Sequence, residues 1–357
     1  MAQTTKRVLV VDDSAFMRRL VAELVEQRAD FSVIGTACDG VEALEKIRAL
    51  APDIVTLDIA MPQMDGLAAL ERIMDEMPRP VIVVSAAGSA DLNASAVRAF
   101  ELGAVDFVRK PSGPVSIDLV EVRDQLFRAL DTASAVRFGT DLKGVSVNTQ
   151  PRRVTARALP KVARRVIVIA ASTGGPRALS EVVSRLPPDF EAAVLIVQHM
   201  PPEFIPTLAD RLGQVGTLPV SVATHGEAVL GGHVYLAPGD GQLLIRGGRG
   251  IATIEIVPGD PLCGLRPSAD PLFETAARVF GRNVIGVVLS GMGRDGSEGL
   301  RSVRGAGGAA IVQDRASSII YGMPAAALAT AGADAVVSAR RVVGAITALL
   351  AHDRRVA

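Results

Sequence analysis

The sequence predicts an α/β chain of two doubly wound, mainly parallel-stranded domains. Three observations carry this. Short runs of valine, isoleucine and leucine each stop at a polar residue and give way to apolar residues at helical spacing. The alternation fills residues 1–130, fades over 131–163 where Ser, Thr, Gly, Asn and Pro punctuate the chain, and resumes over 164–357. With 357 residues and 49% hydrophobic content, the chain is long enough for two cores.

In the first domain, Val8-Leu9-Val10-Val11 forms a strand that stops at Asp12-Asp13-Ser14. The next helix has Phe16, Leu20, Val21 and Leu24 on its apolar face and Ser14 or Asp13 as its cap. A strand at Val33–Ala37 leads into a helix with Val41, Leu44 and Ile47 inward. Ile54-Val55-Thr56-Leu57 ends at Asp58, and a helix with Leu67, Leu70 and Ile73 follows. Val81-Ile82-Val83-Val84 ends at Ser85, and Asp106-Phe107-Val108 ends at Arg109-Lys110-Pro111. Ile117 to Leu130 reads as a last helix with Leu119, Val122, Leu126 and Leu130 apolar. Five strand–helix alternations make a doubly wound parallel sheet.

In such a sheet the ligand crevice lies at the carboxyl ends of the strands. Asp12, Asp13 and Asp58 converge there, and Ser85 and Lys110 reach the same crevice. Carboxylates so placed repel one another unless a cation sits between them, and a hard, oxygen-ligated Mg²⁺ suits them. The residues Asp12-Asp13, Leu57-Asp58, Met61-Pro62, Asp65-Gly66, Ser85-Ala86 and Lys110-Pro111 resemble the receiver domain of two-component response regulators, a flavodoxin-like fold. That resemblance implies that Asp58 accepts a phosphoryl group. It implies that Asp12, Asp13 and Asp58 hold Mg²⁺ with the carbonyl of Ala60. Ser85 and Lys110 would contact the phosphoryl oxygens, and Phe107 would be the switch aromatic. Ala60 stands where many receivers carry a polar or acidic side chain.

Between the domains, Arg152, Arg153, Arg157, Lys161, Arg164 and Arg165 accumulate, with no acidic residue between Asp141 and Glu181. This reads as a solvated linker or as a docking strip for an acidic partner.

The second domain opens on Val166-Ile167-Val168-Ile169-Ala170-Ala171 and runs into Ser172-Thr173-Gly174-Gly175-Pro176. A buried strand, a tight turn and a helix N-terminus place Ser172 at a sheet edge beside backbone donors, as a hydroxyl nucleophile needs. A phosphate-binding glycine turn or a plain connection fits the same pattern. Leu179, Val182, Val183 and Leu186 form the buried stripe of the following helix. Val194-Leu195-Ile196-Val197 ends at Gln198-His199-Met200, so His199 is either a core histidine or the base for Ser172. The other histidines, His225, His233 and His352, form no metal-binding spacing. Gly231 to Val257 reads as short antiparallel strands, with Arg246-Gly247-Gly248-Arg249-Gly250 an ordinary hairpin turn. A helix around Asp270–Phe280 precedes the strand Val284–Leu289, which ends at Ser290-Gly291-Met292-Gly293-Arg294-Asp295.

Ser172, His199 and Asp295 thus follow parallel-type strands at one edge, the placement a Ser-His-Asp triad requires. Their chain order and the lack of a GxSxG elbow set them apart from the α/β-hydrolases. Ala171–Pro176, Gln198-His199-Met200, Ala237-Pro238-Gly239, Arg266-Pro267-Ser268, Ser290–Gly296 and Tyr321-Gly322-Met323-Pro324 resemble the CheB-type protein-glutamate methylesterase/glutaminase family of bacterial chemotaxis. Ala170 and Asp240-Gly241-Gln242 depart from that pattern. The resemblance implies a phosphorylation-regulated serine hydrolase that demethylates glutamyl esters, and deamidates glutamines, on methyl-accepting chemotaxis receptors. Backbone N–H groups of Thr173 and Met292 would bind the oxyanion. The phosphodonor would be a CheA-type histidine kinase, and the esterase itself needs no metal.

Other classes fit less well. Lys+Arg 38 against Asp+Glu 38 gives no net field for nucleic acid, and no helix-turn-helix stands at the C-terminus. A nucleotide-binding module would show a Walker A or a GxGxxG after a strand, and neither is present. Two cysteines, Cys38 and Cys263, suggest neither disulfides nor zinc. With no membrane-length apolar run and no visible signal peptide, the chain is expected in the cytoplasm without membrane insertion.

Overall fold

A computed structural model describes residues 5–86, 90–111, 117–136, 161–248, 251–258 and 267–356. Arg152, Arg153 and Arg157 of the linker, with Arg249, Cys263, Arg266 and the side chain of His352, lie outside them. The chain divides into two compact units, Met1–Phe138 and Gly139–Ala357.

The first unit runs β1 (Lys6–Val11), α1 (Ala15–Glu26), β2 (Phe31–Ala37), α2 (Gly40–Leu50), β3 (Ile54–Leu57), α3 (Gly66–Glu76), β4 (Val81–Ser85), α4 (Ala90–Leu102), β5 (Asp106–Arg109) and α5 (Ile117–Ala135). The sheet is parallel, in the order β2-β1-β3-β4-β5. Strand order reverses at β1, so the ends of β1 and β3 open the crevice. Helix entries follow the residues that can satisfy exposed N–H groups. The side chains of Ser14, Asp39 and Asp65 accept hydrogen bonds from the first turns of α1, α2 and α3.

Two side chains that helical spacing turns inward are exposed. Phe16 is 63% exposed and Val41 is 40% exposed. The buried face of α1 is Met17, Val21, Leu24 and Val25 instead. Phe16 lies one residue earlier, about 100° round the helix, because each residue turns the chain by a 3.6th of a circle.

The second unit runs β6 (Val166–Ala171), α6 (Gly175–Val183), β7 (Ala193–Gln198), α7 (Ile205–Val215), β8 (Val220–Val222), β9 (Val234–Leu236), β10 (Gln242–Gly248), β11 (Ile251–Val257), α8 (Ala269–Phe280), β12 (Val284–Val288), α9 (Ser297–Gly305), β13 (Ala309–Gln313), α10 (Gly322–Ala331), β14 (Ala335–Val337) and α11 (Val342–Val356). Seven parallel strands lie in the order β14-β13-β12-β6-β7-β9-β8, with β10 and β11 a separate antiparallel hairpin. β9 was expected to be antiparallel, but it pairs parallel with both β7 and β8. A three-residue strand carries too little pattern to declare its direction.

β6 is the pivot of this sheet. Every residue of Val166–Ala171 is fully buried, because helices cover both faces of a parallel sheet. On one face, Phe273 of α8 packs among Leu272, Ala276 and Leu300 in the same core cluster. A Cβ on Gly299 would lie 2.5 Å from the Cβ of Phe273, so α8 and α9 pack closely at this residue, while its ring atoms lie 3.5–3.6 Å from where a Cβ on Gly286 of β12 would stand. Phe273→Ala should therefore cost about 3–5 kcal/mol, because neighbours so tightly placed cannot collapse into the void. Denaturant unfolding of the variant measures this, and a loss below about 1 kcal/mol would contradict the packing described.

Candidate active site and acidic crevice

Ser172 follows β6 and His199 follows β7, and the last residues of those strands, Ala171 and Gln198, are in register. The N–H of His199 donates to the Ala171 carbonyl at 2.9 Å, and that of Ser172 donates to the Ser290 carbonyl at 3.0 Å. Gln198 is 2% exposed, and its amide donates to the carbonyls of Ser172 (3.0 Å) and His199 (2.9 Å). One buried side chain thus ties the ends of the two strands together.

The turn after Ser172 needs its glycines. Gly174 caps α6 with φ +80°, and a Cβ there would meet Ile319 and Ser290 within 3 Å. Gly291, from the loop after β12, comes so close that its Cβ would lie 2.7 Å from the Cβ of Ser172. That loop is held by Ser290. Its N–H donates to Gln313 Oε1 at 2.7 Å, and its hydroxyl donates to the Thr173 carbonyl at 2.8 Å.

Asp295 comes back over the edge from the same loop. Its Oδ2 lies 2.7 Å from Nε2 of His199. It also accepts hydrogen bonds from Ser268 Oγ (2.6 Å), Ala269 N (2.7 Å) and Asp270 N (3.3 Å). Burial works to raise its pKa, but the His199 contact and these donors outweigh it and hold the carboxyl below its usual range. The carboxylate is therefore ionised and can only accept, so Nε2 carries the proton and Nδ1 is left as the basic nitrogen of His199.

Thr173 is half-buried beside Ser172, and Met292 is 47% exposed on the Gly291 loop. The remaining described histidines stand elsewhere. His233 pairs with Ser221 Oγ at 2.8 Å, and His225 with the backbone of Ile256.

In the first unit, single ligand oxygens of Asp12, Asp13 and Asp58 all lie within 4.8 Å of one another. Arg18 donates to the carbonyls of Asp12 and Asp13, fixing that turn. Lys110 reaches in, with Nζ 2.6 Å from Asp58 Oδ2 and 2.7 Å from Asp12 Oδ2. Burial pushes the Asp12 carboxyl up against the pull of Lys110. For Lys110, burial opposes its charge, but bonds to Asp12 and Asp58 win and raise its pKa. Ser85 is buried at the end of β4, opposite Arg109 in register, and its carbonyl accepts from Lys110 N at 3.0 Å. Phe107 sits in β5 opposite Val83. An all-oxygen donor set of three close carboxylates fits a hard divalent cation.

In the sequence, Ser268 and Gln198 stand within the Arg266-Pro267-Ser268 and Gln198-His199-Met200 motifs with nothing to mark a role of their own. The contacts of Ser268 with Asp295 and of Gln242 with Ser268 each span more than twenty residues of sequence, so no spacing announces them.

The sequence matches the response regulator receiver domain over residues 8–120 and the CheB methylesterase family over residues 167–346. Together with the two sheets, this defines a response regulator whose second domain is an enzyme. The protein-glutamate methylesterase/protein-glutamine glutaminase of Pyrococcus abyssi is 42% identical over 340 residues, covering 94% of this chain and 91% of the relative. A protein of the same description from Syntrophomonas wolfei is 39% identical over 352 residues, covering 97% and 99%. The crystal structure of the Thermotoga maritima CheB methylesterase catalytic domain is 36% identical with a TM-score of 0.51, over 52% of this chain and 98% of that one. The chain belongs to the protein-glutamate methylesterase/protein-glutamine glutaminase family and is a hydrolase carrying a receiver domain. Among the described residues, no helix is long and apolar enough to cross a membrane.

Proposed function

We propose that the second unit hydrolyses γ-glutamyl methyl esters on methyl-accepting chemotaxis receptors through Ser172, His199 and Asp295. The observation that carries this is the 2.7 Å contact between Asp295 Oδ2 and His199 Nε2, on the strand end beside Ser172. Ser172 Oγ attacks the ester carbonyl while Nδ1 of His199 takes its proton. Asp295 holds the ring and stabilises its cationic form. The N–H groups of Thr173 and Met292 bind the oxyanion. The imidazolium returns the proton to the departing methoxide, methanol leaves, and water then hydrolyses the acyl-serine by the same route in reverse. With a glutamine side chain, ammonia leaves in place of methanol.

The first unit receives the regulatory signal. Asp58 accepts a phosphoryl group from a CheA-type histidine kinase, and Asp12, Asp13 and Asp58, with the Ala60 carbonyl, would hold Mg²⁺. When bound, that ion neutralises charge on the transferring group. Lys110 and Ser85 contact the phosphoryl oxygens, and Phe107 changes position in response. Such a protein works in the cytoplasm, with residues 1–130 as receiver, 131–163 as linker and 164–357 as hydrolase. Methanol release from receptor-bearing membranes, with and without acetyl phosphate, tests the whole reading. Release that rises with phosphodonor is expected, and the absence of any release would remove it.

A further inference from the structure

We propose that Ser268 is a positioning residue for the hydrolysis, fixing the carboxylate of Asp295 so that Oδ2 faces the imidazole of His199. This rests on the reading of Ser172, His199 and Asp295 as the reacting set.

Ser268 stands at the N-cap of α8 with extended backbone, φ −103° and ψ 145°. A serine there ordinarily turns its oxygen onto the N–H groups of its own helix. Ser268 makes no such bond. Its hydroxyl instead donates to Asp295 Oδ1 at 2.6 Å. An ionised carboxylate has no proton to give, so the direction of that bond is fixed. Asp295 takes over the vacated cap, accepting from Ala269 N at 2.7 Å and from Asp270 N at 3.3 Å. The carboxylate therefore sits at the positive end of α8, where a negative charge is stabilised.

The two oxygens have separate duties. Oδ1 is tied to Ser268, and Oδ2 is divided between Ala269 N and His199. Without the hydroxyl, the strongest tie on Oδ1 is gone and only the long Asp270 contact remains there. The carboxylate can then rotate about its Cβ–Cγ bond and take Oδ2 away from the imidazole. Ser268 is itself anchored, since its N–H donates to Oε1 of the buried Gln242 at 2.7 Å. At 5% exposed it acts on substrate only through Asp295.

The titratable groups acting on Asp295 are His199 after β7 and Asp270 on α8, and Glu274 on α8 and Glu298 on α9 act in turn on Asp270. Asp270 is pushed up to about 6, chiefly by burial and further by Asp295, Glu274 and Glu298, against a bond from Gly299 N. It titrates beside Asp295, so the pH measurement is made in an Asp270→Asn background. That substitution keeps an oxygen for Gly299 N.

The experiment compares methanol release by the full chain and its variants on receptor-bearing membranes. Ser268→Ala is expected to lower kcat about ten- to a hundredfold with KM unchanged, the span of one hydrogen bond to a charged group. Removing the donor raises the Asp295 pKa, and activity needs the ionised carboxylate. The acid limb of kcat/KM should therefore move to higher pH. Ser268→Thr keeps the hydroxyl and should recover most of the loss. If Ser268→Ala loses its fold, Ser268→Cys keeps the volume, donates only weakly and carries the same expectation. A kcat within about twofold of wild type and an unmoved acid limb, while Asp295→Asn is inactive, would overturn the role of Ser268 alone. Full activity in Asp295→Asn would remove the triad reading beneath it.

Discussion

Ser172→Ala is expected to lower methanol release by about 10⁴-fold or more, while the phosphoryl acceptor in the other unit stays reactive. The size follows from what the residue supplies. In the proposed reaction no acyl-enzyme can form without Oγ, and backbone donors alone would only assist attack by water. His199→Ala should fall nearly as far, because a serine whose proton has no acceptor is not a nucleophile at neutral pH. The double variant should be no worse than either single one, since the two act as a unit. Asp295→Ala should lose less, because the base survives though poorly aimed. Its damage goes further than a missing contact, since it also uncaps α8 at Ala269. Single-turnover measurement with radiolabelled methyl groups reads all four. Wild-type release from Ser172→Ala would make another side chain the nucleophile.

The sequence made the polar residues at strand ends easy to find for a physical reason. A parallel strand buried on both faces must be an unbroken apolar run, so its end is marked by the first polar residue after that run. Asp12, Asp58, Ser85, Ser172 and His199 all stand at such ends. Amphipathic helices were less secure. In α1 the sets Phe16–Leu20–Leu24 and Met17–Val21–Leu24 both keep helical spacing, and only tertiary packing decides which faces inward. Short strands were poorer still. β8, β13 and β14 leave no clear mark in the sequence, and β9 reads as antiparallel though it pairs parallel, because three to five residues show no decisive period. Ser268, Gln242 and Gln198 were the least legible. Their roles are hydrogen bonds across the fold, and their local sequence is that of any helix start or strand end.

The two units solve one problem in opposite ways. Each gathers carboxylates at a sheet edge and must offset their charge. In the second, Asp295 is paired with donors that favour its ionised form, so its pKa falls. In the first, Asp12 is buried beside Asp58 and its pKa rises despite Lys110. A carboxylate kept ionised by the protein itself is suited to hold a histidine. A carboxylate whose charge is poorly compensated is suited to receive a cation.

That contrast sets the largest effect expected in the first unit. Asp58→Ala should take up no detectable phosphoryl group from acetyl phosphate, and methanol release by the full chain should stay at its basal level with or without the donor. The proposed phosphorylation forms a bond from an Asp58 carboxylate oxygen to phosphorus as the bond from phosphorus to the donor breaks. Oδ1 of Asp58 accepts from Ile59 N at 2.8 Å, and Oδ2 pairs with Lys110 at 2.6 Å. The incoming negative group therefore arrives beside a cation already in place. Asp12 cannot stand in for Asp58, because Ser14 N donates to its Oδ1 at 2.9 Å and burial favours its protonated form. Basal release should persist in Asp58→Ala, since a phosphoryl switch biases a population and does not build the hydrolase. Chelation of divalent cations should suppress labelling of the wild type and leave basal methanol release unchanged, because the proposed reaction of Ser172, His199 and Asp295 draws on no metal. Phosphoryl labelling at the wild-type level in Asp58→Ala would move the acceptor to Asp12 or Asp13. Release that still rises with phosphodonor in that variant would break the link between the acceptor and the control of the hydrolase.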